Sequence, residues 1–385
     1  MTIEIAFTAT KDPTSLRSWS GTPWHMLQGF VAHGADVQPI APLRESWGLA
    51  FKALQLVRGR LGASRYHRER EPLIVRGYAN QIKATLRSST QVIFSPGSIA
   101  ISLLDVGQPI VIWTDATMPI MLDYYGEFTN LSSRALRNAV AMETEAMSRT
   151  SLFVSASEWA ASSARRDYGL HPDRVMVVPF GAGLCGRQVA NTVEEDVARR
   201  FARSERRLLL IGVDWLRKGV DVAIDAVDAL RARGLDVSLD VVGCAPPRGL
   251  AVPDHVRVHG FVDKLTDAGW RTLAQLFRGA DLFLLPTRAE CFGTVLCEAA
   301  AFGVPSIVPI TGGIRSAVED GTSGLLVATD AIGEEYAETA HALLGDPERY
   351  RHMAIEARRL YEQRWNWRTA TAKVLDRMRT LQPLT

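Results

Sequence analysis

Short aliphatic and β-branched runs recur along the chain between amphipathic stretches whose apolar positions return at helical spacing. This is the pattern of βαβ units building a parallel sheet, and it occurs twice. In the first half it predicts strands at Glu4 to Thr8, Val37 to Ile40, Gln91 to Phe94, Ile110 to Trp113, Leu152 to Ser155 and Val175 to Val178. In the second half it predicts strands at Arg207 to Val213, Val237 to Val242, Val256 to Gly260, Leu282 to Pro286, Ser306 to Val308 and Gly324 to Val327. Val220 to Arg233, Thr266 to Arg278 and Val295 to Phe302 carry helix-period apolar positions. The halves break around Gly181 to Arg206, a glycine-rich and then acidic stretch that reads as a linker. Residues 1–185 form one expected domain, 186–365 a second and 366–385 a closing helix. The tail from Tyr350 to Met378 is helical in composition, with a bend near Trp365 and Trp367. The fold class is therefore α/β, with two doubly wound domains whose strand-end loops meet at one cleft.

Composition agrees with this division. At about 150 residues per domain, 385 residues make two to three domains. With 47% hydrophobic and 22% charged residues, disorder, collagen and fibrous repeats are excluded. A net charge of +2 gives no overall electrostatic reason to bind nucleic acid, so charge matters only in local clusters. Met1 to Ile5 lacks the features of a secretion signal, and no apolar run approaches the roughly 20 residues that span a bilayer. The cysteines Cys185, Cys244, Cys291 and Cys297 have no paired spacing, which argues for reduced thiols and against a zinc site. The expected location is cytoplasmic.

Chemistry concentrates in the loops after strands. From Pro286 to Pro305 a strand end, loop, helix and next strand follow in order, with Glu290 in the loop and Gly293 turning the chain into the helix. The free amides of Phe292, Gly293, Thr294 and Val295 are then an anion site, suited to diphosphate above all. Glu298, about one turn into the helix, can accept hydrogen bonds from vicinal hydroxyls. On residues alone the two glutamates can equally be ordinary solvated acids at a helix start. A second cluster, Arg217-Lys218-Gly219, enters the helix after the first strand of the second half. Two cations there can neutralise a departing diphosphate, or be no more than an exposed basic pair.

The residues from Glu290 to Glu298, a Glu followed after seven residues by a second Glu in an E-x-FG context, resemble the signature of the retaining glycosyltransferases of family four. These enzymes have the GT-B fold, two Rossmann-like domains facing a central cleft. The resemblance extends over Leu209 to Gly219, Val241 to Gly243, His259 to Lys264, Ala280 to Thr287 and Thr311 to Ile314. It implies that Glu290 contacts the transferred sugar, that Phe292 and Gly293 lie beside it, and that the Thr294 and Val295 amides meet phosphate. Glu298 would bind the ribose, and the base would sit near Val242 to Ala245 and Phe261 to Lys264, with Val262 among its neighbours. Gly212 ends the strand before the basic cluster. Many members carry an arginine directly after that glycine where this chain has Val213, and Arg217 is the residue available to replace it. The family also brings a glycine pair close to donor phosphate in the first domain, of which Gly21 matches one member. The terminal helix would cross back to the first domain.

The remaining candidates lie in the first half. Gly21 or Thr22 caps a helix with Pro23 in its first turn. Asp115, after the strand ending at Trp113, can accept a bond from a sugar or acceptor hydroxyl, or be a plain loop cap. Glu143 and Glu145 are read as solvent-facing on a helix, and His25 as a packing or capping residue. A basic stretch runs through Arg44, Lys52, Arg58, Arg60, Arg65, His67, Arg68, Arg70 and Arg76, with Phe51, Leu54, Val57 and Leu61 at helical spacing. It suits anionic lipid or a phosphorylated acceptor, or is simply a solvated surface. Trp19, Trp24, Trp47 and Trp113 offer sugar-stacking faces or core packing.

The expected function is transfer of a sugar from a nucleoside diphosphate of UDP, GDP or dTDP type to a hydroxyl of a saccharide or glycolipid, with retention and without a metal or other cofactor. The setting suggested by the resemblance is bacterial polysaccharide, lipopolysaccharide or glycolipid synthesis, with peripheral membrane contact as one possibility. The catalytic candidates are Glu290, Lys218, Arg217 and Asp115. The alternative is a nucleotide-sugar-binding subunit without catalysis. A nicotinamide oxidoreductase is disfavoured because no glycine-rich G-x-G-x-x-G loop follows a strand.

Overall fold

The computed structural model describes residues 2–60, 64–187, 189 and 192–382. Two compact units emerge: Met1–Pro179 with Trp367–Thr385, and Phe180–Asn366. Each is built on one six-stranded sheet whose neighbouring strands are all parallel.

In the first unit the strands are β1 (Glu4–Thr8), β2 (Asp36–Ile40), β3 (Val92–Ser95), β4 (Ile110–Thr114), β5 (Thr150–Ser155) and β6 (Val175–Val177), in the order β2-β1-β3-β4-β5-β6. The inner strands β3 and β5 are buried at every position, as helices on both faces require, while the edges β2 and β6 are partly open. The order reverses between β1 and β3, which makes their carboxyl ends the ligand crevice of such a sheet. The helix Trp367–Met378 completes this unit. It lies against the helix Thr22–Ala32, where Gly29 admits it: a Cβ at Gly29 would come 2.4 Å from Thr371 Cγ2. The His25 ring stacks on Trp367 at 5.2 Å with an interplanar angle of 2°.

In the second unit the strands are β7 (Arg206–Ile211), β8 (Val237–Val242), β9 (Val256–Gly260), β10 (Leu282–Leu284), β11 (Ser306–Pro309) and β12 (Gly324–Val327), in the order β12-β11-β10-β7-β8-β9. Taken within the unit, this is the dinucleotide-fold order, and its switch point falls between β7 and β10.

Two boundaries differ from the sequence reading. Residues 180–185 belong to the second unit, not the first. The Ala182 amide donates to the Trp365 carbonyl at 2.9 Å, and Phe180 packs edge-on against Phe292 with centroids 5.5 Å apart. The stretch read as a linker also contains a helix, Val193–Phe201. Glu194, Glu195 and Asp196 occupy its first turn, where the helix dipole favours acids. Arg200, 1% exposed, docks its other end by donating to the carbonyls of Gly303 at 2.7 Å and Phe302 at 3.0 Å and to the Tyr350 hydroxyl at 3.2 Å.

Candidate functional site

In the second unit the loops after β7 and β10 leave from the switch point, and local geometry locks one onto the other. The Asp214 side chain accepts from the Arg217 amide at 3.0 Å and its carbonyl from the Lys218 amide at 2.9 Å, closing a tight turn. Gly219 has φ +70°, and a Cβ there would lie 1.9 Å from the Pro286 carbonyl oxygen. Only glycine permits this approach. The Arg217 carbonyl then accepts from the Arg288 amide at 2.8 Å and the Thr287 hydroxyl at 3.0 Å.

The contact joins the two clusters singled out in the sequence. Lys218 Nζ donates to the Glu290 carboxylate. Arg217 Nη1 lies 3.9 Å from the same carboxylate oxygen and donates to the Ala289 carbonyl at 3.1 Å. The Lys218 and Glu290 side chains are only 9% and 13% exposed, so this is a nearly buried ion pair with a second cation beside it. Gly212 makes room for it, since a Cβ there would sit 2.4 Å from Lys218 Cγ.

Gly293, at φ +86°, caps the helix Thr294–Ala301 without a side-chain capping bond. The amides of Thr294 and Val295 stand in its first turn, where a helix has no acceptor of its own to offer. Glu298, 7% exposed, accepts from Lys264 Nζ at 2.9 Å. Burial works against the Lys264 charge, but the Glu298 carboxylate more than offsets it, and the net effect raises the lysine above its ordinary value. Glu298 is thus buried and Glu290 nearly so, both are lysine-paired, and the reading of either as a solvated acid does not hold. Phe292 is buried against Phe180, and Val262 is half-buried in the loop after β9.

Gly21 and Asp115 belong to the first unit. Gly21, at φ +84°, is the N-cap of the helix Thr22–Ala32 with a proline in its first turn. Asp115 follows β4 and lines a cavity of about 400 Å³ at the carboxyl ends of β1, β3 and β4. Trp19, 38% exposed, lines the same cavity, whereas Trp113 is core. Glu143 is not solvent-facing. It is 3% exposed, lines this cavity, and accepts from Ser98 Oγ at 2.8 Å, Tyr168 Oη at 2.6 Å and the Met118 amide.

The basic stretch does not form one surface. Arg68 pairs with Glu45 at 3.0 Å, Arg70 is buried, and Lys52 and Arg76 are exposed. Leu61 and the side chains of Leu54, Val57, Arg58 and Arg60 lie outside the described residues.

Sequence reasoning named Lys264 only as part of a loop and missed Glu143 as a buried group. A signal for Glu143 was present: on the helix Ser133–Arg149 the buried positions include Ala135, Ala139, Met142, Ala146 and Met147, and Glu143 falls in that stripe.

The family described as Glycosyl transferases group 1 matches residues 205–346. D-inositol 3-phosphate glycosyltransferase of Xylanimonas cellulosilytica is 32% identical over 252 residues, covering 61% of this chain and 58% of that protein. The enzyme of the same name from Nocardia farcinica is 30% identical over 199 residues, 49% of this chain and 44% of that protein. The chain thus spans about half the length of these curated relatives. Among solved structures, Anabaena HepE in complex with UDP-glucose aligns with a TM-score of 0.64 at 18% identity, covering 98% of this chain and 100% of that one. Sucrose-phosphate synthase from Thermosynechococcus elongatus aligns with a TM-score of 0.67 at 16% identity, covering 98% of each. WaaG, a glycosyltransferase involved in lipopolysaccharide biosynthesis, aligns with a TM-score of 0.65 at 18% identity, covering 98% of this chain and 100% of that one. Residues 205–346, which build the switch-point site, match the family described as Glycosyl transferases group 1, and the chain that carries them has the GT-B fold.

Proposed function

We propose that this protein transfers a sugar from a nucleoside-diphosphate donor to an acceptor hydroxyl with retention at the anomeric carbon. The observation that carries this reading is the nearly buried Lys218–Glu290 pair, with Arg217 beside it, at the switch point of the second sheet.

In this reading Lys218, Arg217 and the Thr294 and Val295 amides hold the diphosphate and stabilise the charge that grows on it as the bond to the sugar breaks. Stabilising charge where it develops is usually what lowers the barrier most. Glu290 holds hydroxyls of the transferred sugar, and Glu298 those of the ribose. The anomeric carbon loses its bond to the phosphate oxygen and gains one to the acceptor oxygen on the same face. The acceptor proton passes to the departing phosphate. Two side-chain cations and a helix terminus supply the charge a metal would otherwise bring, so the reaction is proposed to need none. HepE structures hold UDP and UDP-glucose, which supports a uridine donor first among the UDP, GDP and dTDP types. The first unit, with Asp115 in its cavity, is proposed to take the acceptor. The names of the curated relatives support a polyol phosphate, and the description of WaaG supports a saccharide or glycolipid. Trp47, just before the basic helix Gly48–Arg60, and Leu49, in its first turn, are 69% and 87% exposed and support peripheral membrane contact.

The test incubates purified protein with UDP-, GDP- and dTDP-sugars and acceptor extract in the presence of a chelator. Transfer that survives the chelator and is lost in Glu290→Gln and Lys218→Ala is the expected result. Donor binding without turnover in any combination would leave a binding subunit and end the enzyme reading.

A further inference from the structure

The Lys264–Glu298 pair is built more rigidly than neutralising one acid requires. Lys264 stands in a turn that Asp263 ties off. The Asp263 carboxylate accepts from the Leu265 amide at 3.1 Å, and its carbonyl from the Thr266 hydroxyl at 2.9 Å and the Thr266 amide at 3.1 Å. Thr266 in turn caps the helix Asp267–Gly279, accepting from the Gly269 amide at 3.1 Å. Glu298 stands on the helix Thr294–Ala301, whose Cys297 thiol donates to the Phe180 carbonyl at 3.8 Å.

Residues 180–187 close over the pair. Phe180 is held by Phe292 and Ala182 by the Trp365 carbonyl, while Arg187 pairs with Asp267 at 2.8 Å and lies 5.5 Å over the Trp270 ring. Between these anchors Gly183 is buried against the ions themselves: a Cβ there would lie 2.6 Å from Glu298 Oε1 and 2.8 Å from Lys264 Nζ. Oε1 is thus enclosed by the ammonium on one side and the Gly183 backbone on another. Oε2 accepts from none of the described residues, and it is the oxygen left to a ligand. An ionised carboxylate has about four acceptor positions, and Lys264 occupies one of them.

We propose that Lys264, beneath the Gly183 backbone, is a positioning residue that fixes the Glu298 carboxylate to meet both vicinal hydroxyls of a ribose. The donor is thereby restricted to ribonucleoside diphosphates, and 2′-deoxyribonucleotides such as dTDP are excluded. The proposal rests on the donor reading above for the place of the ribose. Accepting from a ribose needs only the carboxylate, whereas discriminating needs it held still. A carboxylate free to rotate can turn toward whichever hydroxyl remains. A fixed one cannot, so a 2′-deoxyribose leaves a nearly buried oxygen short of a donor. That shortfall is how a site built for a hydroxyl rejects the analogue that lacks it.

The experiment is calorimetric titration of the full chain with two matched pairs of ligands, UDP against 2′-deoxy-UDP and GDP against 2′-deoxy-GDP. The members of each pair differ in one hydroxyl. Lys264→Met removes the ammonium. Gly183→Ala keeps both charges and pushes on them, and because the atoms its Cβ meets are the ends of two side chains, they move aside without unfolding the unit. Wild type should prefer the ribonucleotide by roughly tenfold or more. Both variants should bring the ratio to within about threefold, chiefly by weakening the ribonucleotide. A lysine that only stabilises the fold, or only attracts the diphosphate, would weaken both members of a pair alike and leave the ratio where it was. Equal binding of the two members by wild type, or a wild-type ratio kept by either variant, would overturn the proposal and leave donor binding intact. If wild type binds neither pair, the donor reading fails and this inference with it.

Discussion

The Lys218–Glu290 pair makes a quantitative prediction that separates a catalytic from a structural role. In Glu290→Gln the Lys218 ammonium keeps a hydrogen-bond acceptor but loses its counter-charge while remaining nearly buried. Breaking a fully buried pair costs about 3–5 kcal/mol. With Arg217 only 3.9 Å from the vacated oxygen, repulsion between the cations adds to the cost, while the residual exposure of the site reduces it. We expect a loss of about 3 kcal/mol, which for a unit of this size lowers Tm by roughly 6–12 °C. A nucleoside diphosphate lacks the sugar that Glu290 is proposed to hold, yet carries the charge Lys218 has lost. It should therefore bind Glu290→Gln more tightly than wild type, by about tenfold or 1.4 kcal/mol, and restore much of the lost Tm. Lys218→Ala should bind the same nucleotide more weakly by a similar factor, and both variants should lose turnover. The assay is thermal melting followed by titration with whichever of UDP, GDP or dTDP stabilises wild type most. If that nucleotide binds Glu290→Gln no more tightly than wild type, or binds Lys218→Ala unchanged, the pair is a structural bolt and the proposed role of Lys218 is refuted.

Three further outcomes are expected. Gly219→Ala places a Cβ 1.9 Å from the Pro286 carbonyl oxygen on a residue at φ +70°, so it should cost about 3 kcal/mol or more and abolish nucleotide binding before it abolishes folding, read by melting and titration together. Burial pushes the Glu205 carboxyl upward, but Ser238, Arg207 and Arg257 outweigh it and hold the value down to about 2. Because the folded value lies below the ordinary one, the stabilisation is complete above the usual glutamate range and fades as pH falls toward the folded value. Glu205→Gln should thus cost about 1 kcal/mol at neutral pH after allowance for solvent screening, and the gap from wild type should close below about pH 3 in urea titrations. Gly29→Ala drives a Cβ to 2.4 Å from Thr371 Cγ2 and should loosen the helix Trp367–Met378, seen as faster amide hydrogen exchange there with exchange in the second unit unchanged.

All twelve strands are present within a residue or two of where the apolar runs place them. Parallel strands buried on both faces must be apolar throughout, which makes them conspicuous in a sequence. The helix Val193–Phe201 was hidden because a charged residue, Arg200, does the docking, and its partners are carbonyls and a hydroxyl far along the chain. The spacing of Glu290 and Glu298 is local, so it could be read directly. The pairing of Glu290 with Lys218 spans 72 residues across a switch point and exists only once the sheet order is known. Arg70 was one of many arginines in a basic stretch, and nothing in its neighbours announces that its guanidinium turns inward. Glu143 was misread because glutamate is ordinarily a surface residue, although its helical phase pointed to the interior.

The hydrogen bond from the Ala182 amide to the Trp365 carbonyl draws together the chain's entrance to the second unit and its exit. That unit is therefore an insertion within the first, with adjoining ends, and the order in which the two units are completed runs against the order in which they begin. The ribosome supplies all of residues 180–366 before it supplies Trp367, on which His25 stacks. The inserted unit can reach its native state while the first unit, begun earlier, is still waiting for its last helix.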